Sequence, residues 1–361
     1  MRNAMSKIKI LCCGFIAVVC LYACSKSTSN KPTIGTGSGS GNGNGGGNGS
    51  SVPIRPTTPY VTDSSFKTVA YYYDVNDPST IDISVFPLLT HINYSFIYPN
   101  KNGSLNAITQ TARFNSIAQL ATQYKIKKII TVGGQDSIFT SLASAQSSRT
   151  YFTQQVLQFV LNNNFDGVDI DWEYPSTAKG TDVTFASLIH ELSDSLHAWH
   201  KSLSIAVTPA LYAGAIRDAI GTSVINDVDF LNIMIYDGIG WDPQNKNNHS
   251  TYNMLVSSLN IWKNTKGLPG YKAVAGIPFY GKNASNTAMS FRSLVNAGAN
   301  PAIDSFNMNG VVYYYNGIQT IKAKTTYAKA NANGIMFWEL SQDISASPNS
   351  LVKAAYGVLH P

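Results

Sequence analysis

The chain has 361 residues, enough for one large domain or two small ones, and is 44% hydrophobic with only 13% charged residues. Its formal charge of +6 falls to +3 once Arg2, Lys7 and Lys9 are set aside, and what remains is scattered. That leaves no electrostatic footprint for nucleic acid or an acidic surface. The excess of Asn, Ser, Thr, Gly and Tyr over charged residues suits a neutral polar ligand such as a sugar.

Arg2, Lys7 and Lys9 precede an apolar stretch over residues 10–23. It falls short of the roughly 20 residues that a membrane-spanning helix needs, so residues 1–23 are expected to be an export signal. Leu21-Tyr22-Ala23-Cys24 resembles a bacterial lipoprotein box. Cleavage before Cys24 would leave its thiol to carry lipid; a plain secretory leader is the alternative. All four cysteines (Cys12, Cys13, Cys20 and Cys24) lie in or at the edge of this leader. The body is therefore expected to fold without disulfides, zinc or a catalytic thiol. Residues 24–60 read as a tether, because 35–51 is almost wholly Gly, Ser and Asn and behaves as flexible coil. Pro53, Pro56 and Pro59 stiffen its end. The expected location is the periplasm or cell surface, held to a membrane by lipid alone.

From Phe66 to Pro361 no second linker interrupts the pattern. Short apolar runs predict strands over 69–73, 91–96, 128–132, 167–173, 203–208, 230–236, 273–278 and 334–338. Helices are predicted over 109–124, 149–163, 183–200, 252–263, 318–330 and 350–359. Alternating strands and helices of this number point to a (β/α)8 TIM barrel rather than an open sheet. No Gly-rich phosphate fingerprint follows the first strand. Residues 281–333 exceed an ordinary connection and contain Val311-Val312-Tyr313-Tyr314-Tyr315. A small strand-bearing insertion between strands seven and eight is expected there, as a wall beside the mouth.

Residues 166–173 read Asp-Gly-Val-Asp-Ile-Asp-Trp-Glu. Side chains in a strand alternate between faces, so Asp169, Asp171 and Glu173 share one face and Val168, Ile170 and Trp172 the other. Burying three like charges is costly unless some are protonated or firmly hydrogen-bonded. Such an arrangement is kept mainly where chemistry needs it. Pro175 then ends the strand, having no N–H to continue the ladder.

Active sites of these barrels sit at the C-terminal ends of the strands, where the chain collects polar and aromatic residues. Strand six carries Met234 and Tyr236 ahead of Asp237, and strand eight carries Met336 and Trp338. Strand one supplies Tyr71 and strand two Phe96. An aromatic floor with carboxylates and a phenol suits a sugar ring. Other readings stay open at this point. Taken singly, Tyr71, Phe96 and Met234 read as core residues, and a carboxylate cluster is also a ligand set for Ca²⁺ or Mg²⁺. The histidines (His91, His190, His197, His200, His249 and His360) show no ligand spacing, and His197 and His200 are expected to face solvent.

Asp166-x-x-Asp169-x-Asp171-x-Glu173 resembles the signature of glycoside hydrolase family 18, the chitinases and endo-β-N-acetylglucosaminidases. Thr131-Val132-Gly133-Gly134, Met234-x-Tyr236-Asp237, Pro278-Phe279-Tyr280-Gly281 and Gly334-Ile335-Met336-Phe337-Trp338 resemble its other strand-end motifs, in the same order. The resemblance covers nearly all of residues 66–345. It implies a retaining, substrate-assisted hydrolysis without metal or organic cofactor. Glu173 would be the acid, Asp171 the group that holds the acetamido N–H, and Asp169 its proton-sharing partner. Tyr236 would donate to the acetamido oxygen. Asp237, Met234, Trp338, Tyr71, Phe96 and Gln135 would line the substrate site. Asp166, off the alternating face, would orient the loop.

Three departures from the family pattern stand out. Gln135-Asp136 replaces the Trp that often follows the strand-three glycines, Lys282 stands where Arg often follows, and the insertion is short. An open groove follows. The expected function is hydrolysis of β-1,4-linked N-acetylglucosamine polymers, chitin or its oligomers, by a monomer. The alternatives are an endo-β-N-acetylglucosaminidase acting on the chitobiose core of N-glycans, and a non-catalytic glycan-binding surface lipoprotein.

Overall fold

Eight parallel strands close into a barrel in the spatial order β1-β12-β7-β6-β5-β4-β3-β2 in the computed structural model, which describes residues 53–344 and 347–361. The leader, Cys24 and the tether up to residue 52 lie outside the described residues. The barrel strands are β1 (Lys67–Tyr73), β2 (His91–Ile97), β3 (Lys127–Gln135), β4 (Gly167–Glu173), β5 (Ser202–Val207), β6 (Phe230–Ile233), β7 (Ala273–Pro278) and β12 (Gly334–Trp338). Helices on the outside include α1 (Thr111–Gln123), α2 (Asp136–Ser144), α3 (Gln146–Asn162), α4 (Thr181–His197), the short α5 (Ala215–Asp218) and α6 (Thr222–Asp227). They continue with α7 (Tyr252–Asn260), α9 (Ile318–Asn331) and α10 (Leu351–Leu359), while α8 (Phe291–Asn296) belongs to the insertion that follows β7. The TIM-barrel expectation therefore holds.

Two apolar layers follow from strand alternation. Residues facing out, such as Val168, Ile170 and Trp172, merge with Phe139, Leu142, Phe185 and Leu188 of the helices into one continuous core. Trp172 stacks on Phe139 at 5.3 Å and meets Phe185 edge-on at 5.5 Å. Its indole N–H donates to Asp136 at 2.7 Å, satisfying the polar edge that a buried Trp carries. Residues facing in form a smaller cluster of Val69, Tyr71, Phe230, Tyr236, Val274, Tyr280 and Met336. Polar residues are buried in the barrel as well, among them Asn93, Ser95, Thr131, Ser204 and Asn232, the last two bonded to Asp169.

Most strand ends fall within two residues of the sequence reading, and two, those of β3 and β6, differ by three. β3 runs on to Gln135 instead of stopping at Val132, because Gly133, Gly134 and Gln135 stay in parallel register with Asp171, Trp172 and Glu173. α2 follows at once, a helix absent from the sequence reading because no loop residue separates it from β3. β6 ends early, at Ile233, and the chain coils inward. The N–H groups of Ile235 and Tyr236 bond two residues back, to Ile233 and Met234, a tight turn that still brings Met234 and Tyr236 to the inner cluster.

The insertion between β7 and β12 is a four-stranded antiparallel sheet in the order β10-β11-β8-β9, made of β8 (Tyr280–Asn283), β9 (Ala288–Ser290), β10 (Ser305–Met308) and β11 (Val311–Tyr314). At its foot the fully buried Lys324 of α9 donates to Ser250 O, Ser250 Oγ and Asn316 Oδ1 at 2.8, 2.8 and 2.6 Å. That lysine clamps the end of the β6–α7 loop. At the opposite, N-terminal end of the barrel, residues before β1 pack on the base. Tyr60 stacks on His197 at 4.1 Å and donates to Asp229 at 2.9 Å. His197, expected to face solvent, is thus partly covered, with Nε2 3.0 Å from Asp229.

Candidate active site

All three acids of β4 point into the barrel at successive same-face positions, roughly 6.6 Å apart along the strand. Asp169 is completely buried and accepts three hydrogen bonds, from Tyr71 OH at 2.7 Å, Ser204 Oγ at 2.6 Å and Asn232 Nδ2 at 3.0 Å. Burial pushes its pKa up while these donors pull it down, and burial wins. Asp171 is also buried, and its Oδ1 has no protein partner. Burial, then the charges of Glu173 and Asp169, raise its pKa well above the ordinary carboxylate value. Asp171, set between two acids and without a donor on Oδ1, therefore favours its neutral form more strongly than Asp169, whose carboxylate is held by three donors.

Glu173 is the last residue of β4, with an edge open to solvent at the barrel mouth. Although exposed at the mouth, its carboxyl is desolvated by the protein around it, which raises its pKa, against a hydrogen bond from Tyr174 and with help from the Asp237 charge. Its register partner on β3 is Gln135, so the Gln135 side chain leaves the sheet beside the acid. Asp166 accepts from Lys128 N at 2.8 Å at the far end of β4, an orienting contact away from the acids.

Across the mouth, Trp338 lies among Tyr71, Phe96 and Tyr73, with ring centroids at 5.4, 5.9 and 6.2 Å. Phe96 comes this close to β3 because residue 133 is glycine; a Cβ there would meet the Phe96 ring at 2.5 Å. The peptide bonds Ser95–Phe96, Glu173–Tyr174 and Trp338–Glu339, at the ends of β2, β4 and β12, are cis. Tyr236 and Met234 complete the wall next to this floor. Burial and the charges of Asp171, Asp237 and Glu173 hold the Tyr236 phenol protonated, so it can donate a hydrogen bond.

Asp237 stands just past Tyr236 with its backbone in the left-handed region, at φ 62°. Its Oδ1 accepts from Lys282 Nζ and Tyr280 OH, each at 2.6 Å. Burial alone would raise its pKa, but the Lys282 ammonium and the Tyr280 hydroxyl, both in contact with Oδ1, outweigh it and hold the group well below the usual carboxylate range. It stays ionised to lower pH than an ordinary carboxylate, while Asp171 holds its proton to higher pH.

The fold thus brings Asp169, Asp171, Glu173, Tyr236, Asp237, Met234, Trp338, Phe96 and Gln135 to one mouth. Tyr71 is the exception among the residues expected to line a substrate site. It is only 1% exposed and its hydroxyl is taken by Asp169, so it supports that carboxylate from below instead of facing a ligand. Sequence reasoning missed Ser204, Asn232 and His249. Ser204 is the register partner of Asp169, a relation that no sequence pattern reveals. His249 lies in an Asn-rich loop without any signal of its own.

Among known proteins, this chain is similar to the Nod factor hydrolase protein 1 of Medicago truncatula, 26% identical over 74% of this chain and 83% of that protein. The Chitinase-3-like protein 2 of Homo sapiens is 29% identical over 73% of this chain and 75% of that protein. Of solved structures, the chitinase ChiB from the chitin utilization locus of Flavobacterium johnsoniae has a TM-score of 0.66 at 28% identity, covering 81% of this chain and 94% of that one. Human YKL-39, described as a pseudo-chitinase with retained chitooligosaccharide binding, shares the fold with a TM-score of 0.67 at 21% identity, covering 82% and 100%. The family model for glycosyl hydrolases family 18 matches residues 67–343, from the first residue of β1 to just past β12, and the chain belongs to that family.

Proposed function

We propose that this protein hydrolyses β-1,4 linkages between N-acetylglucosamine residues of chitin or chitooligosaccharides, with retention of configuration. The observation that carries the reading is Glu173 at the mouth, pKa raised, directly above the buried pair Asp171 and Asp169. Glu173 protonates the glycosidic oxygen. The acetamido carbonyl oxygen of the sugar over Trp338 attacks C1 from the opposite side, the leaving sugar departs as an alcohol, and an oxazolinium ion forms. Asp171 accepts the acetamido N–H and balances the new positive charge, while Tyr236 donates to the acetamido oxygen. Water then gives a proton to Glu173 and its oxygen to C1, reopening the ring. Each inversion cancels the other. Asp169 shares the proton that Asp171 releases, and Asp237 holds the same sugar from the β6 side.

A second reading is cleavage of the chitobiose core of N-glycans by the same chemistry. It is favoured by Gln135 beside the acid, a polar contact for the leaving sugar where an aromatic platform would grip a chitin chain. The test is mass spectrometry of products from the protein lacking residues 1–52. That cut keeps the base contacts of Tyr60. Chitobiose and chitotriose from chitohexaose, with a high-mannose glycoprotein untouched, is the expected result. Release of glycan leaving one N-acetylglucosamine on the protein would move the substrate to N-glycans. Bound oligomer without products would leave a binding protein.

The location belongs to the same proposal. Cys24 carries lipid and residues 25–52 tether the barrel to a membrane at the periplasmic or outer surface. Residues 53–66 run over the base of the barrel, so a chain anchored through them leaves the mouth clear for a bulky polymer. Metabolic labelling with a radioactive fatty acid should mark the wild type and not Cys24→Ser; label on both would remove the anchor.

A further inference from the structure

Asp237 leans on a closed ring of hydrogen bonds in which one member, the wholly buried His249, has no part in the chemistry above. The His249 Nε2 lies 3.2 Å from the carbonyl oxygen of Tyr280. Tyr280 OH donates to Asp237 Oδ1 at 2.6 Å. The Asp237 N–H points to His249 Nδ1 at 3.3 Å. The His249 and Tyr280 rings lie 4.8 Å apart.

The ring of bonds fixes the tautomer. A carbonyl oxygen only accepts, so Nε2 must carry a hydrogen. Burial lowers the pKa of His249, against the pull of Asp237, and keeps the imidazole neutral. Nδ1 is then a bare lone pair, which is what the Asp237 N–H requires. It follows that His249 gives nothing to Asp237 Oδ1, 3.4 Å from Nδ1. That oxygen is served by Tyr280 and Lys282, and Oδ2 has no protein donor among the described residues. The backbone being held is uncommon: Asp reaches the left-handed region more readily than most residues, and the conformation still needs support from its surroundings. The segment that imposes it is itself anchored. Ser250 Oγ donates to Ile235 O at 2.6 Å, and Lys324 and Asn316 both bond the Ser250 carbonyl at 2.8 Å.

We propose that His249 is a positioning residue for Asp237: it locks the left-handed backbone and so aims the free carboxylate oxygen at the sugar bound over Trp338. Only the kinetic part of this role rests on the hydrolytic reading.

The test compares His249→Phe and His249→Asn with wild type on chitohexaose, with thermal midpoints measured for all three. His249→Phe removes the acceptor and should lower kcat by up to about 100-fold, a loss that misplacement by an ångström can cause. KM should stay within about threefold, because ground-state contacts elsewhere persist. His249→Asn offers its side-chain oxygen to the same N–H and should recover kcat to within about fivefold of wild type. A His249→Phe enzyme with wild-type kcat overturns the role. So does equal loss of activity in both variants with equal loss of thermal stability, which marks a merely structural residue. Nitrogen-15 NMR of histidine-labelled wild type reads the tautomer directly. A proton on Nε2 supports the role and a proton on Nδ1 overturns it, whether or not the protein cleaves chitohexaose. Absence of cleavage by wild type counts against the hydrolytic reading alone.

Discussion

Glu173→Gln lowers kcat on chitohexaose by about 1,000-fold, within the range of roughly 10²–10⁴ that a positioned general acid contributes. The replacement keeps the shape and hydrogen-bonding of the side chain but has no proton to give to a departing alkoxide. Binding should survive, since the floor of Trp338 and Phe96 is untouched. The pH profile supplies the second signature. The folded protein raises the pKa of Glu173, so its acid form persists to higher pH than a free glutamate would allow. In wild type kcat/KM therefore holds at mildly acidic pH and falls as pH rises through that raised value. The residual rate of Glu173→Gln should lack this basic limb. A rate assay over pH 4–9 with isothermal titration of the oligomer decides it. Undiminished hydrolysis by the variant would show that another group is the acid.

Asp171→Asn is expected to lower kcat by about 100- to 1,000-fold, the scale seen when one preorganised electrostatic contact to the transition state is lost. An amide in place of the carboxylate still fits but cannot balance the charge of an oxazolinium ion. The same change should stabilise the fold, because wild-type Asp171 is a buried acid with an unpartnered oxygen between two like groups. Release of about 1 kcal/mol would raise the thermal midpoint by about 2–4 °C. The sign has a pH dependence. The native state keeps a proton on Asp171 that the unfolded chain gives up above the ordinary carboxylate pKa, so this residue makes wild type lose stability as pH rises from there toward the raised value. The advantage of Asp171→Asn should be small near pH 4 and larger at pH 7. Activity loss with equal or lower stability at every pH would contradict the picture of a strained, functional carboxylate.

Much of this was legible in the chain alone. The alternation of Asp169, Asp171 and Glu173 with Val168, Ile170 and Trp172 was enough to place three acids on one face, because strand geometry has a period of two and needs no tertiary information. The sequence bounds of β4 and β7 matched the observed ones, since in both an apolar run ends at a residue or dipeptide that cannot continue a ladder. Strand number and helix alternation sufficed for the barrel. The strand-bearing insertion was visible as a run of β-branched and aromatic residues in too long a connection.

What local pattern could not reach was anything set by register between strands or by loops returning from far along the chain. Ser204 and Asn232 meet Asp169 because β5 and β6 stand at particular heights beside β4, and closure of the whole barrel fixes those heights. The extension of β3 to Gln135, which sets that amide beside Glu173, depends on β4 offering partners past two glycines. Burial of Tyr71 beneath Asp169, and of His249 beneath Asp237, was equally hidden, because a residue type says what a side chain can bond and only packing says which atom it meets. The sequence by itself determined the acids, their shared face and the barrel that presents them. The tertiary structure decided which way and how strongly the pKa of each acid moves, because desolvation and neighbouring charge are properties of the closed barrel.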